Sequence, residues 1–442
     1  MSSLLIKNAT VVTLGKANQV IANGALLVED GAIQALGPAP AVSGGADQVI
    51  DARGRVVMPG LICSHHHFYS TMARGMNPPG EPASNFVEIL ERLWWKVDRA
   101  LQMEDVRLSA LVPLCECIRN GTTTIVDHHA SPSCRDGSLD VIAEATAQAG
   151  VRACLCYEVS DRNAEGAGVE ENARFAARCG KEKRDDLKAL FGLHASFTCS
   201  DKTVRRCVEA AAPHGIGFHI HVAEDKADVD HCLKQHGKRV VHRLAELGLA
   251  GPNSIFVHCV HIDDSEIDRL AETRTMVAHN PESNMNNAVG AAQVLKLIER
   301  GVLVGLGTDG MASDMLAQMR CAYLLHRHAA ADPRVAFCEA PGMLLGGSAE
   351  VARRIFGLPL GELSAGGPAD LIVLDYLPPT PLSADNLLGH LIFGMVDAAV
   401  DTTICRGRVL MRDKKILTLD EERIAAQCRE RTPAMWERVR AL

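Results

Sequence analysis

Eight apolar, β-branched runs bounded by turn residues recur through the middle of this 442-residue chain. They are Met58–Ser64, Thr123–His128, Arg152–Val159, Ala189–Ser196, Gly217–Ala223, Ser254–Val260, Thr275–Asn280 and Val302–Thr308. Each is continuously apolar rather than alternating, the pattern of parallel strands buried on both faces. Helical patterns lie between them, among them Leu139–Ala149, Val204–Ala212, Val229–Leu247 and Met315–Ala329. This alternation predicts an α/β fold, a (β/α)8 TIM barrel rather than an open doubly wound sheet. The flanks differ, with short strands and turns in LLIKNATVVT, GALLVED and QVIDARGRVV and again in PADLIVLDY and TTICRGRVLMRD. The expected organisation is therefore a small β-sandwich built from both chain ends (1–57 and 366–419), a barrel over 58–365 and a terminal helix over 420–442.

The formal net charge is −8 without any basic block, which excludes a nucleic-acid partner. No run approaches the roughly 20 apolar residues that span a bilayer, so no membrane partner is expected. The first residues, MSSLLIKNATVV, lack the apolar core of a leader, and a cytoplasmic location is expected. The 15 cysteines are scattered with no C-x-x-C spacing, as befits reduced thiols, and Cys115, Cys117, Cys154 and Cys156 read as buried.

The chemistry gathers at the strand ends, where barrels of this class build their sites. The first run ends in His65-His66-His67; on an extended strand His65 and His67 face the same way while His66 faces away. Two imidazoles at a buried strand end are half a metal site. The fifth run carries His219 and His221 on one face, either able to ligate, with Glu224 placed where the chain turns back over the mouth. A glutamate beside a polarised water is suited to proton transfer. His258 ends the sixth run in phase with the rim, and Asp309 follows the last. Three imidazoles and a carboxylate suit one divalent ion, Zn2+ or Fe2+. His128 and His129, His194 and His279 stand at equivalent strand ends and are candidates to line a substrate pocket, the phase leaving open which of His128 and His129 faces inward. Trp94 and Trp95 fall in the helical stretch after the first strand, one expected in the core. Gly305–Gly310 formally matches G-x-G-x-x-G, but Asp309 would set a carboxylate against a pyrophosphate, and the motif follows seven strands instead of opening a nucleotide domain.

Taken together, PGLICSHHH, HIHVAED, VHCVHIDD, AHNPESN and GLGTDG, in that order, resemble the amidohydrolase superfamily and its single-metal deaminase and chlorohydrolase branch. HFYSTMARG, LWWKVDRAL, VDHHASP, GTDGMASDM and PPTPLSADN with GHLIFGM resemble the SsnA-type aminohydrolases more narrowly. The resemblance implies metal ligation by His65, His67, His221 and Asp309. It implies a proton shuttle at Glu224, a hydrogen bond from His258 to the oxygen or water at the reacting centre, and a substrate contact at His194. No lysine ends the fourth strand, so a single metal rather than a carbamate-bridged pair is implied. The activity implied is hydrolytic deamination of an amino-substituted purine-, pyrimidine- or pterin-like ring, with a small heterocycle as partner and a homodimer or higher homo-oligomer as assembly. Two alternatives stand beside it: opening of a cyclic amide at the same site, and a metal-binding partner protein without turnover.

Overall fold

The computed structural model describes residues 3–42, 44–78 and 80–442. Among these the framework is mixed α/β, with two parallel sheets and one larger mixed sheet. The first parallel sheet orders Leu61–His66, Thr122–His129, Arg152–Tyr157 and Leu187–Ala189; the second orders Phe191–Ala195, Phe218–Val222, Ile255–His258, Met276–His279 and Val304–Leu306. Every residue of Thr122–His129 and of Phe218–Val222 is buried, because helices cover what the β-branched runs would otherwise expose. Parallel bridges at two places, His66 with Asp309 and Val159 with Leu193, tie one sheet to the other. The covering helices are started by local chemistry. Ser200 caps Asp201–Ala211 by accepting from Thr203 N–H, and Asp263 and Glu266 form a reciprocal capping box on Asp264–Thr273.

The third sheet has nine strands drawn from both ends of the described chain. Its order runs Lys415–Ile416, Arg408–Arg412, Val400–Cys405, Leu371–Leu374, Val56–Pro59, Ser3–Val12, Val20–Glu29 and Ala32–Pro38, with Gln48–Asp51 also paired to Ser3–Val12. A buried ion pair, Arg152 to Asp370 at 2.7 Å, ties this sheet to the parallel strands.

Three boundaries differ from the sequence reading. Met58–Ser64 is two strands, since Met58 pairs with Ile372 in the nine-stranded sheet while Leu61–His66 opens the parallel one. The chain changes sheets at Gly60, whose Cα is packed so tightly on Thr123 that no side chain fits. The run Ala189–Ser196 is also interrupted, at Leu190. The helix expected over Val229–Leu247 breaks into Lys226–His236 and Val240–Glu246, because Gly237 takes a left-handed φ of 65° that ends the first piece.

A last helix, Glu421–Ala441, braces the segment that follows the first parallel strand. Trp436 Nε1 donates to the carbonyl of Met72 at 2.8 Å, and Arg438 Nε to that of Ala100 at 2.7 Å. No helix among the described residues is long and apolar enough to cross a membrane.

Candidate active site

The period of two in Leu61–His66 and the residue after it sets His65 and His67 toward the strand ends of the second sheet, while His66 turns away to Ser313 Oγ at 3.2 Å. His67 Nε2 lies 3.1 Å from His221 Nε2 and 3.2 Å from Asp309 Oδ1; His65 Nε2 lies 3.7 Å from the same Asp309 oxygen. Donor atoms of His65, His67 and Asp309 fall within 4.8 Å of one another, as do those of His65, His221 and His258 and those of Glu224, His258 and Asp309.

The outer nitrogens are held from behind. His67 Nδ1–H donates to the carbonyl of His128 at 2.6 Å, and His221 Nδ1–H to that of His194 at 2.7 Å. His65 Nδ1 pairs with His219 Nε2 at 2.9 Å. Each contact fixes a ring so that Nε2 faces the cluster. Of the two histidines on the fifth run, His221 thus enters the cluster, and His219, one pleat deeper, orients His65.

The residues fit a divalent cation. His65 Nε2 and His258 Nε2 are buried with no hydrogen-bond partner, an expense that a cation would remove. Burial holds the rings of His65, His67, His221 and His258 below their ordinary pKa, hence neutral and able to donate a lone pair. Burial works against the charge of Asp309, but the His65 ring and the neighbouring His67 and His258 outweigh it and hold its carboxyl well below the usual range. Neutral imidazoles with one ionised carboxylate are the donor set of zinc or ferrous iron.

Glu224 faces the same point from the opposite side. Its Oε2 is 3.3 Å from His258 Nε2, and its Oε1 accepts from Asn287 Nδ2 at 3.1 Å. Burial first, and the Asp309 charge second, push its carboxyl well above the ordinary range, which favours the protonated form. His258 Nδ1 pairs with Asn284 Oδ1 at 2.8 Å, leaving Nε2 to face the centre. His258 and Asp309 both sit at left-handed φ, 69° and 54°, conformations that non-glycine residues keep only where the surroundings enforce them. The glycines around Asp309 serve packing: a Cβ on Gly307 would lie 2.8 Å from the main chain of His65. That close approach accounts for the G-x-G-x-x-G pattern without a nucleotide.

A cleft opens over the cluster, walled by Phe86, Leu90, Trp94, Trp95 and Phe197 and reached by His67, His194, His221, Glu224, His258 and Asp309. Both tryptophans line it, half-buried, because the wide helical turn Leu90–Trp94 and the helix after it aim consecutive residues inward. Three expected pocket residues lie elsewhere. His128 is wholly buried, its Nε2 on the carbonyls of Leu193 and His219; His129 bonds Ser131 Oγ; His279 bonds His326. None of the three lines the cleft, but His128 stands directly behind the cluster, with a ring nitrogen within 4.8 Å of those of His67 and His221. Ser283, Asn287, Asp98 and Glu158 line the cleft and are not among the expected site residues, although Ser283 falls within AHNPESN and Asp98 within LWWKVDRAL.

The chain is similar over nearly its whole length to known proteins. Over 446 residues the chain is 34% identical to a 5'-deoxyadenosine deaminase of Methanosarcina mazei, covering 99% of this chain and all of that protein. It is also 34% identical over 445 residues to a 5-methylthioadenosine/S-adenosylhomocysteine deaminase of Pelotomaculum thermopropionicum, covering 98% of each. In structure it is similar to an adenosine deaminase from Xanthomonas campestris with bound zinc, with a TM-score of 0.85 at 24% identity, covering 100% of this chain and 99% of that one. The profile of the Amidohydrolase family matches residues 56–410. The chain belongs to the amidohydrolase family and is a hydrolase acting on carbon–nitrogen bonds.

Proposed function

We propose that the chain is a hydrolytic deaminase of an amino-substituted N-heterocycle of the 6-aminopurine kind, releasing ammonia. One observation carries the reading: the carboxyls of Glu224 and Asp309 flank the same His258 nitrogen, at 3.3 and 3.7 Å, the first shifted toward its protonated form by burial and the second toward its ionised form by the histidines around it. An acid and a base set against one reacting centre are what amine displacement by water needs. The full-length relatives that deaminate adenosine analogues support the ring class.

In this reading His65, His67, His221 and Asp309 hold one divalent ion, zinc or ferrous iron, which supplies an acidified water when bound. Asp309 accepts the proton of that water, its Oδ2 steadied by the Ser283 hydroxyl at 2.5 Å. His258 Nε2 accepts a hydrogen bond from the water and aligns it on the amine-bearing ring carbon. Glu224 passes its proton to the adjacent ring nitrogen, so no negative charge builds on the ring as the tetrahedral carbon forms. Asp309 then returns its proton to the leaving amine, and as ammonia departs the hydroxyl proton passes to Glu224, leaving the ring carbonyl and restoring the acid. The aromatic walls exclude bulk water and stack on the ring, and His194 contacts the substrate from the rim.

The parallel bridges between the two sheets support a closed (β/α)8 barrel, and the pairing of strands from both chain ends in one nine-stranded sheet supports a small flanking β domain that reaches to Pro59. Exposed Leu324 and Phe393, 57% and 68% accessible and both beside Tyr323, support a homodimer or higher homo-oligomer. Fifteen free cysteines fit a cytoplasmic setting.

The test is ammonia release from aminopurines, oxidised purines, aminopyrimidines and pterins by metal-replete enzyme. Release from an aminopurine supports the reading; silence across the panel with one metal per chain overturns it in favour of cyclic-amide opening.

A further inference from the structure

Among the described residues, six carboxylates line the cleft (Asp98, Glu158, Glu224, Asp225, Asp228 and Asp309) and no lysine or arginine does. Glu224 and Asp309 serve the reaction. Asp228 is occupied by the main-chain N–H groups of Phe197 and Ala223, at 3.0 and 2.9 Å. Asp98 and Glu158 are held chiefly by side chains: both pair with Arg162, and Glu158 Oε2 also lies 3.7 Å from His128 Nδ1.

These two come from distant segments and share one nitrogen. Arg162 Nη2 donates to Asp98 Oδ2 at 3.0 Å and to Glu158 Oε1 at 2.5 Å, and the guanidinium lies 4.9 Å over the Trp95 ring. Two buried carboxylates against one guanidinium leave a surplus negative charge. Asp98 Oδ1 is buried with no hydrogen-bond partner, a costly state in a cleft wall. Burial lifts Asp98 to about 6 and Glu158 to about 7 despite Arg162, so the protein itself does not compensate the pair.

Their place in the cleft is set by a row of rings. His221 lies 5.7 Å from His194, and His194 6.1 Å from Trp95, on which Arg162 rests. A heterocycle reacting at the histidines would therefore extend its far substituent toward the two carboxylates.

We propose that Asp98 and Glu158, steadied by Arg162, form the specificity end of the cleft, accepting a cationic or donor-bearing substituent and rejecting an anionic one. The inference rests on the amino-heterocycle reading and narrows it to rings without a phosphate or carboxylate arm. Like charges in a water-poor cleft repel strongly, and rejection of this kind sets specificity as effectively as attraction.

The experiment uses one ring that releases ammonia, carrying at the same position an aminomethyl, a carboxamide or a carboxylate group, assayed at pH 8. Wild-type kcat/KM should fall in that order, with the ammonium compound ahead of the carboxylate by about 100-fold or more. Glu158→Gln and Asp98→Asn should each cut that ratio about tenfold and raise the rate on the carboxylate compound, a gain that a misfolded variant cannot produce. A flat wild-type series, or a ratio unmoved in both variants, overturns the inference. If no ring of the panel turns over, the deaminase reading fails separately. The same three compounds are then titrated calorimetrically into metal-loaded wild type and Glu158→Gln: a charge preference lost in the variant sustains the specificity end, and equal affinities overturn it.

Discussion

The Ser283 hydroxyl donates to Asp309 Oδ2 at 2.5 Å, while Asp309 Oδ1 faces His65 and His67. One carboxylate thus has an oxygen for the cluster and an oxygen locked from outside. Ser283→Ala frees the second oxygen to rotate. We expect kcat to fall about 10- to 100-fold with one metal per chain retained. Steady-state kinetics with elemental analysis checks this, and unchanged kcat removes Ser283 from the site.

His219 does not reach the cleft, yet its Nε2 pairs with His65 Nδ1. His219→Leu keeps the volume and deletes the contact. The expected result is a divalent-metal affinity about 10- to 100-fold weaker, read by competition with a chromogenic chelator. A melting curve taken on the metal-free protein separates this from loss of fold.

Glu224 is outside the set that holds the ion, so charge and metal should part company there. Glu224→Gln should keep one metal per chain while kcat drops about 10²- to 10⁴-fold. Chelator treatment of wild type should abolish turnover, and added Zn2+ or Fe2+ should restore it. Full activity in the variant would sink the proton-transfer role.

Asp127 provides a pH signature in stability. Burial raises its carboxyl to about 8, against an ordinary value near 4, with Oδ1 accepting from Phe68 N–H and Oδ2 unpartnered. Between those values the native state holds a proton that the unfolded chain has lost. The unfolded state binds fewer protons, so this group makes stability fall as pH rises from about 4 to 8. Asp127→Asn removes that slope, and its melting temperature should exceed that of wild type by more at pH 8 than at pH 5. An equal offset at both values would refute the buried charge.

How much of this is legible beforehand depends on whether the information is local. His65, His67, His221, His258 and Asp309 end parallel strands, so periodicity and one rim suffice to bring them together. The choice between His219 and His221 is not local: they share a face, and only the depth of the neighbouring His65 ring separates them. His128, His129 and His279 hold equivalent strand ends but are turned to carbonyls, a hydroxyl and the His326 ring respectively, behind the wall. The Asp98–Arg162–Glu158 contact joins segments 60 residues apart, which no spacing rule anticipates. The change of sheet at Gly60 is hidden because the run on either side is equally apolar; what marks it is the lack of room against Thr123.

The strand Val56–Pro59 lies between Ser3–Val12 and Leu371–Leu374. During synthesis its first neighbour already exists, but its second emerges about 300 residues later. At ribosomal speeds of roughly 5–20 residues per second, that interval is on the order of tens of seconds. Until then an apolar strand presents an open edge, the kind that recruits foreign strands. The nine-stranded sheet is therefore completed late in translation, and a message truncated ahead of codon 371 yields a product with a permanently sticky edge. Nascent chains of this protein carry that unpaired edge for the whole of the wait, whatever the stability of the finished enzyme.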